Sequence, residues 1–361
     1  MGVIVALLIP TTIIMLFVGR SAPVVCCTSE NEVKNAISVF CKETDTVLEI
    51  GAELAQISTH LCKMIGPQGK AILVDKKRSE SKSGRCNFRT VDRFLSKECK
   101  EGEESFVDRV ELVYLNEMSE WKEKIPLAAT PYDVIIVSVG HLLGHDLYMT
   151  ILNFTNEILN SLSTEPRAVI VKSKTLYSLS RRLVHSQRLF DGTTKLPAIL
   201  ERSSEPYIIA GVKVEEYRRT IPFVVKETDA ILEVGSHFGR TTKLLDDAGR
   251  YCIGVDIGSK IIANAKKQYP DLAFSVGDAW KMMSLLKLRK TMTNEDELGY
   301  DLVYADIGGL SGSDGHLESL SLLYALGSAL EPKAIVIKSM CMRQLASRLK
   351  FFPDVWKKFN S

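Results

Sequence analysis

The sequence predicts an α/β protein with two tandem domains, each built on a mostly parallel, doubly wound sheet. One observation is an internal repeat, because "KETDTVLEIG" at 42–51 returns as "KETDAILEVG" at 226–235 with seven identical letters. Another is the alternation of short apolar runs with amphipathic segments in each copy. Buried strands of about five residues that alternate with helices are typical of parallel sheets covered on both faces.

The repeat extends over a whole domain. Glu49 and Glu233 are 184 positions apart, whereas Lys172 and Lys338, which end the fifth predicted strand of each copy, are 166 apart. Loops have therefore shortened between the copies while the strand order was kept, and the period is too long for a solenoid. We expect the two repeats to pack against each other. The predicted segments are an apolar leader at 1–21, a first domain at 22–214 and a second domain at 215–361.

Composition limits the function classes. The chain has 361 residues, which is enough for two domains of roughly 100–200 residues each. Its net charge of +2 gives no global attraction to nucleic acid, so polyanion binding would depend on local patches. The eight cysteines show no CxxC and no zinc spacing. This favours reduced thiols in an intracellular protein of the cytoplasm or nucleus, without a metal site.

The leader contains an uncharged apolar run, "VIVALLIPTTIIMLFV", at residues 3–18. This run is shorter than the ~20 residues that span a bilayer, and Pro10 interrupts it. No lysine or arginine precedes it, which argues against a signal peptide. The alternatives of a membrane anchor, a targeting segment and a disordered or locally packed leader stay open.

The first predicted strand of the second copy ends in "LEVGSHFGRTT", with Gly235 and Gly239 four positions apart. Glycine lets the backbone approach a ligand closely, and the following helix offers free N–H groups. The dinucleotide pattern GxGxxG is absent. The segment resembles the nucleoside loop of class I S-adenosylmethionine-dependent methyltransferases, E/D-x-G-x-G-x-G, with His237 in place of the middle glycine. The resemblance implies Rossmann-like domains that bind S-adenosyl-L-methionine; the alternative is an ordinary strand-to-helix turn.

Three more acidic residues follow successive strands. Asp256 lies about 20 residues after the loop, where an acid can accept both ribose hydroxyls of a nucleoside. In the resembled family, the position of Asp278 contacts adenine and that of Asp306 lies beside the transferred methyl group. A single such acid more often caps a helix or turn, but four in order favour a cofactor site. The predicted cofactor-binding residues are Glu233, Gly235, Ser236, His237, Phe238, Gly239, Asp256, Ile257, Asp278 and Ala279.

The first copy keeps the framework and loses part of this pattern. Glu53 takes the middle-glycine position, Ala55 takes the last one, and Ser138 replaces the fourth acid, while Asp75 remains. An acidic side chain in the loop would repel the carboxylate of the cofactor. We therefore predict a degenerate first domain that scaffolds or binds a substrate or partner, and a second domain that binds the cofactor.

Both copies end the fifth strand with a lysine. Lys338 would lie near Asp306, where a lysine beside a carboxylate can hold or help deprotonate a hydroxyl nucleophile. "VYADIGG" and "IVIKSMC" resemble the corresponding segments of fibrillarin- and FtsJ-type ribose 2′-O-methyltransferases. This resemblance implies that Asp306 and Lys338 are catalytic and that RNA ribose accepts the methyl group. It is partial, because those families carry a further lysine where this chain has Arg218 or Arg219. Alternatively, the lysine is structural, since Lys172 persists without the acid.

Local basic patches are the candidate RNA contacts. "SLSRRLVHSQR" predicts Arg181, Arg182, His185 and Arg188 on nearly one helical face, and "KKRSESKSGR" adds a second patch at 76–85. Solvated surfaces are the alternative explanation. Two other functions stay open: a catalytically inactive tandem binding module, and a membrane-tethered methyltransferase acting on a small molecule or a protein.

The last strands are unequal between the copies. "LPAILERSSEPYIIAGV" predicts a hairpin that closes the first sheet, whereas the second copy offers only "FFPDVWKKFNS". However, "APVVCC" at 22–27 aligns with "EPYIIA" at 205–210, again 184 positions apart. Because of this alignment, we predict that "PVVCC" supplies a late strand to one of the two sheets. The alternative is a truncated second domain with an exposed sheet edge.

Overall fold

A computed structural model describes residues 21–52, 56–76, 109–139, 147–293, 299–308 and 315–361. The apolar run of the leader lies outside these ranges. Within them, no helix is both long and apolar enough to traverse a bilayer.

The elements of the first copy alternate as predicted. In chain order they are β1 (Val24–Cys27), α1 (Glu30–Phe40), β2 (Thr46–Ile50), α2 (Gln56–Met64), β3 (Lys70–Lys76), β4 (Val110–Leu115), α3 (Trp121–Lys124), β5 (Val134–Val137), α4 (Tyr148–Ser161), β6 (Ala168–Lys172), α5 (Lys174–Arg182), β7 (Leu183–His185) and α6 (Ser186–Phe190).

The second copy repeats this order. Its elements are β8 (Tyr207–Gly211), α7 (Val214–Arg219), α8 (Ile221–Val224), β9 (Ala230–Val234), α9 (Arg240–Ala248), β10 (Tyr251–Asp256), α10 (Ser259–Gln268), β11 (Ala273–Val276), α11 (Met282–Thr293), β12 (Leu302–Ala305), α12 (His316–Leu330), β13 (Ala334–Lys338), α13 (Met340–Arg348), β14 (Leu349–Phe351) and α14 (Phe352–Phe359).

Two seven-stranded sheets confirm the predicted fold class. The first has the order β14-β1-β6-β5-β2-β3-β4 and the second the order β11-β10-β9-β12-β13-β8-β7. Within each copy the five strands that follow the "KETD" phrase are therefore ordered 3-2-1-4-5, as in doubly wound Rossmann-like sheets. β2 and β3 pair in parallel with Glu49 opposite Leu73, and β9 and β10 pair in parallel with Glu233 opposite Gly254. Because parallel sheets are covered on both faces, β2, β5, β9 and β12 are almost wholly buried.

The first strand of each copy joins the sheet of that copy. β1 lies between β6 and β14, with Val24 opposite both Val169 and Leu349, which confirms the prediction that "PVVCC" supplies a late strand. The predicted closing hairpin is wrong, because β8 belongs to the second sheet and pairs in parallel with β7. A short apolar run followed by a turn has the same appearance in a hairpin and in a single parallel strand, so the sequence did not distinguish them.

Equivalent short strands form one edge of each sheet. β7 and β14 each follow a helix that ends in arginine, and each begins with a leucine, at 183 and 349. β14 pairs with β1 in the first sheet, and β7 pairs with β8 in the second. Each sheet is thus completed by a strand encoded in the other copy.

The described chain forms two compact units that do not follow chain order. One contains the described residues of 21–198, 206–210 and 343–361, and the other contains those of 199–205 and 211–342. The C-terminal residues therefore belong with the N-terminal ones. The domain borders at 22–214 and 215–361 stay a prediction about the repeat.

The repeated "KETD" phrase forms a turn before the first strand of each 3-2-1-4-5 set. The Asp229 carboxylate accepts from the N–H of Lys226 at 2.9 Å, and the Asp45 carboxylate accepts from the N–H of Lys42 at 2.7 Å. Each aspartate also pairs with the residue that precedes the fifth strand by one position, Lys333 or Arg167. The most similar stretch of the repeat therefore starts at the amino ends of the strands, away from the ends where doubly wound sheets bind ligands.

Candidate functional site

A cavity of about 610 Å³ lies at the carboxyl ends of the second copy's strands. Its size is within the range of small-molecule sites, which is about 300–1,000 Å³. All of its lining residues belong to one compact unit. They are Val214, Arg218, Glu233, Gly235, Ser236, His237, Phe238, Arg240, Thr241, Asp256, Gln268, Asp306, Gly308 and Lys338.

The loop after β9 is shaped by its two glycines. Gly235 has φ of 83°, and a Cβ there would lie 1.9 Å from the main-chain oxygen of Asp306. Gly239 has φ of 84°, and its Cβ would meet the ring of Phe274 at 2.4 Å. Only glycine combines these dihedrals with such close contacts. The two glycines therefore let the loop pack closely against the main chain of Asp306 and the ring of Phe274.

Asp256, at the end of β10, fixes the loop by hydrogen bonds. Its Oδ2 accepts from the N–H of His237 at 3.1 Å, and its Oδ1 accepts from the N–H of Gly258 at 2.9 Å. The N–H groups of Gly235 and Ser236 donate to the carbonyl of Val255 at 2.8 and 3.0 Å. An ionised carboxylate has about four acceptor positions, so each Asp256 oxygen keeps capacity for a ligand hydroxyl.

Glu233 is buried beneath the loop, with an exposed fraction of 2%. Thr242 on α9 donates its hydroxyl to Glu233 Oε2 at 2.5 Å. Burial raises the pKa of Glu233 to about 8, and the hydrogen bond from Thr242 opposes part of this rise. At neutral pH this carboxyl is therefore largely protonated, and it contributes a hydrogen-bonding group rather than a full negative charge.

Asp306 and Lys338 form an ion pair at the edge of the cavity. They follow or end the adjacent strands β12 and β13, which pair in parallel with Ala305 opposite Ile337. Their side chains are 20% and 22% exposed, so the pair is partly shielded and still reachable by a ligand. The structure thus places Lys338 near Asp306, as the sequence predicted.

Helix α7 adds a cation to the cavity. The guanidinium of Arg218 donates from Nε to the hydroxyl of Thr241 at 2.9 Å, next to the start of α9. It also acts electrostatically on Glu233 and opposes the rise of that pKa. Ser236 has a buried hydroxyl for which no partner exists among the described residues. Such an unpaired buried hydroxyl is a feature that a bound polar ligand can satisfy.

Four predicted cofactor residues do not line the cavity. Gly239 lies behind the loop against Phe274, and Ile257 is 75% exposed. Asp278 accepts from the N–H of Trp280 at 3.0 Å and so caps a turn, with Ala279 inside that turn. These positions follow strand ends as predicted, and their contact with a cofactor stays a prediction.

Sequence patterns alone missed several lining residues. They are Val214, Arg240, Thr241, Gln268 and Gly308. Arg240 and Thr241 open the helix after the glycine loop, so the rule that helix N-termini face ligands could have found them. Gln268, the last residue of α10, and Val214, the first residue of α7, are brought in by helix packing and carry no local signal.

The equivalent positions of the first copy differ. Burial raises the pKa of Glu49 to about 7, and Ser58 stands where Thr242 stands in the second copy. Lys172 faces Glu30 of α1 at 3.9 Å rather than a strand-four acid, since Ser138 occupies that position. The loop positions Glu53 and Ala55 lie outside the described residues. The buried framework is thus repeated without the Asp–Lys pair.

The basic stretch after β6 does not form one continuous helix. α5 ends at Arg182, and β7 separates it from α6, which contains Arg188. Arg182 is buried and donates from Nη1 to the carbonyl of Pro206 at 2.8 Å, so it is not available to RNA. The predicted common helical face is therefore wrong, because strand pairing of 183–185 overrides local helix propensity. Most of the patch at 76–85 lies outside the described residues.

The site is a cavity at the carboxyl edge of a parallel sheet of strand order 3-2-1-4-5, which is where doubly wound α/β proteins bind ligands. No protein family and no curated protein matches the sequence. Solved structures similar to it include a TehB-like SAM-dependent methyltransferase from Corynebacterium glutamicum, at 21% identity over 37% of this chain and 70% of that one, TM-score 0.26.

Two further solved structures have comparable similarity. One is a dimethyladenosine transferase from Plasmodium falciparum, at 24% identity over 30% of this chain and 38% of that one, TM-score 0.22. The other is a SAM-dependent methyltransferase from Thiobacillus denitrificans in complex with S-adenosyl-L-homocysteine, at 17% identity over 42% and 53%, TM-score 0.25. The chain spans about half or less of the length of these two proteins.

Proposed function

We propose that the second copy is an S-adenosylmethionine-dependent methyltransferase site. The proposal rests on the hydrogen bond that the Asp256 carboxylate accepts from the N–H of His237 in the glycine loop. This bond lies in a cavity that the Asp306–Lys338 ion pair also lines. An acid at the second strand end, a backbone-lined loop and a buried acid beneath it form a nucleoside-binding arrangement in doubly wound sheets. The bound cofactor would supply a methyl group already activated on a sulfonium.

The residues fit the parts of this cofactor. Asp256 would accept the ribose hydroxyls with the acceptor capacity that its two backbone hydrogen bonds leave. Gly235 and Ser236 would approach the methionine part with their backbone, and the unpaired Ser236 hydroxyl would gain a partner. The adenine would lie toward Ile257 and Asp278, at the ends of β10 and β11.

The acceptor class that we propose is an RNA ribose hydroxyl. Lys338, held in place by Asp306, would donate a hydrogen bond to the hydroxyl oxygen and orient a lone pair of that oxygen toward the methyl group. Asp306 would accept the hydroxyl hydrogen and favour its departure. Most of the acceleration would come from alignment of donor and acceptor, because the methyl group needs no further activation.

Calorimetric titration of the full chain with S-adenosylmethionine tests the cofactor assignment. We expect one site per chain, loss of binding in Asp256→Ala, and unchanged binding in Asp271→Ala, an exposed aspartate that does not line the cavity. Absence of binding to the intact chain, or equal binding by Asp256→Ala, would overturn the proposal.

The acceptor is tested separately with methyl-labelled cofactor and total RNA. A methyl group on the ribose 2′-oxygen blocks alkaline cleavage of the adjacent phosphodiester, so the label should remain in alkali-resistant dinucleotides. Label in single nucleotides would indicate base methylation, and label in protein or small molecules would reject RNA as the acceptor. Neither result affects the cofactor assignment.

A catalytically inactive binding module is the second candidate. His237 stands at the middle-glycine position with φ of 49°, a conformation that a non-glycine residue adopts rarely, and its ring contacts Phe238 with a centroid distance of 4.0 Å. This aromatic pair changes the loop where the resembled family has glycine. Cofactor binding without methyl transfer to any acceptor class would favour this candidate.

A further inference from the structure

The C-terminal helix α14 carries a row of three aromatic rings. The centroids of Phe352 and Trp356 are 6.0 Å apart with planes at 30°, and those of Trp356 and Phe359 are 5.9 Å apart with planes at 26°. Phe352 is buried in the core of the unit that contains β1, whereas Phe359 is 55% exposed. The row thus leads from the core to solvent and ends in an accessible ring, on which another flat ring can stack.

Cations lie on the same helix and on the strand that precedes it. Lys357 and Lys358 are exposed on α14, and Lys350 is half-buried on β14. Burial is the main reason that the pKa of Lys350 is lowered to about 8, and the charges of Arg188 on α6 and of Lys358 contribute to this value. The influence of both charges on Lys350 places these three cations in one region of the same compact unit.

These cations form no ion pair in the part of the chain that the structure describes, although the charge of Arg188 acts on the nearby Asp191 carboxylate and helps to lower its pKa. Lys350 donates to the carbonyl of Ser347 at 2.6 Å. Uncompensated like charges repel one another, and a bound polyanion would relieve this repulsion.

We infer that Arg188, Lys350, Lys357, Lys358, Trp356 and Phe359 form a binding surface for single-stranded RNA, which we call the aromatic–basic surface. Its cations would contact phosphates, and a base would stack on Phe359 at the end of the ring row. Aromatic residues interleaved with cations are the combination by which proteins bind single strands without reading sequence.

The same features argue against a lipid surface as the partner. An amphipathic helix that binds a membrane must have its apolar face free. In α14, Phe352 is part of the core, and Val355 and Trp356 pack against it. The remaining exposed ring, Phe359, presents too little apolar area to enter a bilayer, whereas it matches the face of a base.

This inference goes beyond the proposed methyl transfer. None of the residues of the aromatic–basic surface lines the cavity of the second copy. RNA could bind here whether or not the cavity binds the cofactor, so the two proposals fail in different experiments.

Fluorescence anisotropy with a labelled 12-nucleotide oligoadenylate RNA tests the surface, using the full chain over a range of salt concentrations. The variant Lys357→Gln/Lys358→Gln should weaken binding and reduce the salt slope by about 0.7 for each lost phosphate contact. A matched control is Lys266→Gln/Lys267→Gln, another adjacent exposed lysine pair in the last turn of a helix, which should change neither quantity.

Stacking is tested at the end of the ring row. Phe359→Ala should weaken binding roughly tenfold without changing the salt slope, and Phe359→Tyr should keep the affinity of the natural chain. Equal losses in the two lysine-pair variants, an unchanged affinity in Phe359→Ala, or no binding of the RNA at low salt would overturn the inference. Binding to phosphatidylserine vesicles in place of the RNA would also overturn it.

Discussion

Lys338 and Asp306 form an ion pair at the carboxyl ends of adjacent strands, whereas the equivalent Lys172 faces Glu30 of helix α1 at 3.9 Å. The lysine is thus common to both copies, but its acidic partner comes from a strand end in one and from a helix in the other. The difference follows from Ser138, which removes the strand-four acid from the first copy. Among the described residues, a strand-five lysine and a strand-four carboxylate therefore meet in the second copy alone.

Lys338→Met should reduce methyl transfer by about 100-fold, because the hydroxyl oxygen would lose the hydrogen bond that aligns it with the methyl group, and a misplacement of about 1 Å can cost that much. The affinity for S-adenosylmethionine should change little, since the nucleoside part would lie at Asp256. Rates of label transfer and calorimetric titration separate the two effects. Lys172→Met is the matched control and should leave both unchanged; a similar loss of rate in both variants would assign the lysine a structural role.

Gly235→Ala should destabilise the protein strongly. The positive φ alone costs an alanine roughly 1 kcal/mol, and its Cβ would also lie 1.9 Å from the main-chain oxygen of Asp306. Gly192→Ala isolates the first effect, because Gly192 has φ of 71° and no other atom lies within 4 Å of the place that its Cβ would take. Urea unfolding compares the free energies, and equal losses in the two variants would contradict the steric argument.

Stability should fall as pH rises because of Glu233. An unfolded glutamate loses its proton near pH 4.5, whereas folded Glu233 keeps it to about pH 8. Between these values the folded state binds more protons, so the free energy of unfolding decreases with pH, by at most about 1.4 kcal/mol per unit. Glu233→Gln cannot titrate and should show a flatter profile.

The pH range over which a buried glutamate lowers stability should end at a lower pH for Glu49 in the first copy than for Glu233 in the second. The pKa of Glu49 is raised to about 7, so Glu49→Gln should gain stability relative to the natural chain only up to about pH 7. Urea unfolding between pH 5 and pH 9 measures both variants. Profiles parallel to that of the natural chain would show that neither carboxyl is protonated in the folded state.

The repeated "KETD" phrase should affect stability and not ligand binding. Asp229 is buried, pairs with Lys333 at 2.9 Å and accepts from the N–H of Lys226. Asp229→Ala should lower the free energy of unfolding by roughly 2 kcal/mol. Glu227→Ala, at an exposed position of the same phrase, should have no effect. A loss of cofactor affinity in Asp229→Ala without a loss of stability would reject this role.

Much of the candidate site could be predicted from the sequence. The apolar runs mark the strands, and parallel strands bring their carboxyl ends to one edge, so Glu233, Asp256 and Asp306 meet without further information. The glycines of the loop have a local cause as well, since their dihedrals exclude other residues. Arg218, Val214 and Gln268 enter the cavity from helices whose packing depends on side chains distant in the sequence, and local patterns do not encode that packing.

The sequence by itself determined the doubled, doubly wound α/β architecture and the chemical difference between the two strand-four positions. These are properties of neighbouring residues: hydrophobic periodicity, glycine dihedrals and side-chain identity. The tertiary structure decided which sheet takes each short edge strand, β7 and β14, and which acid each strand-five lysine meets. The pairing of β14 with β1 and that of Lys172 with Glu30 join segments more than 100 residues apart. Many short apolar runs could satisfy such a strand pairing equally well until the rest of the sheet is formed.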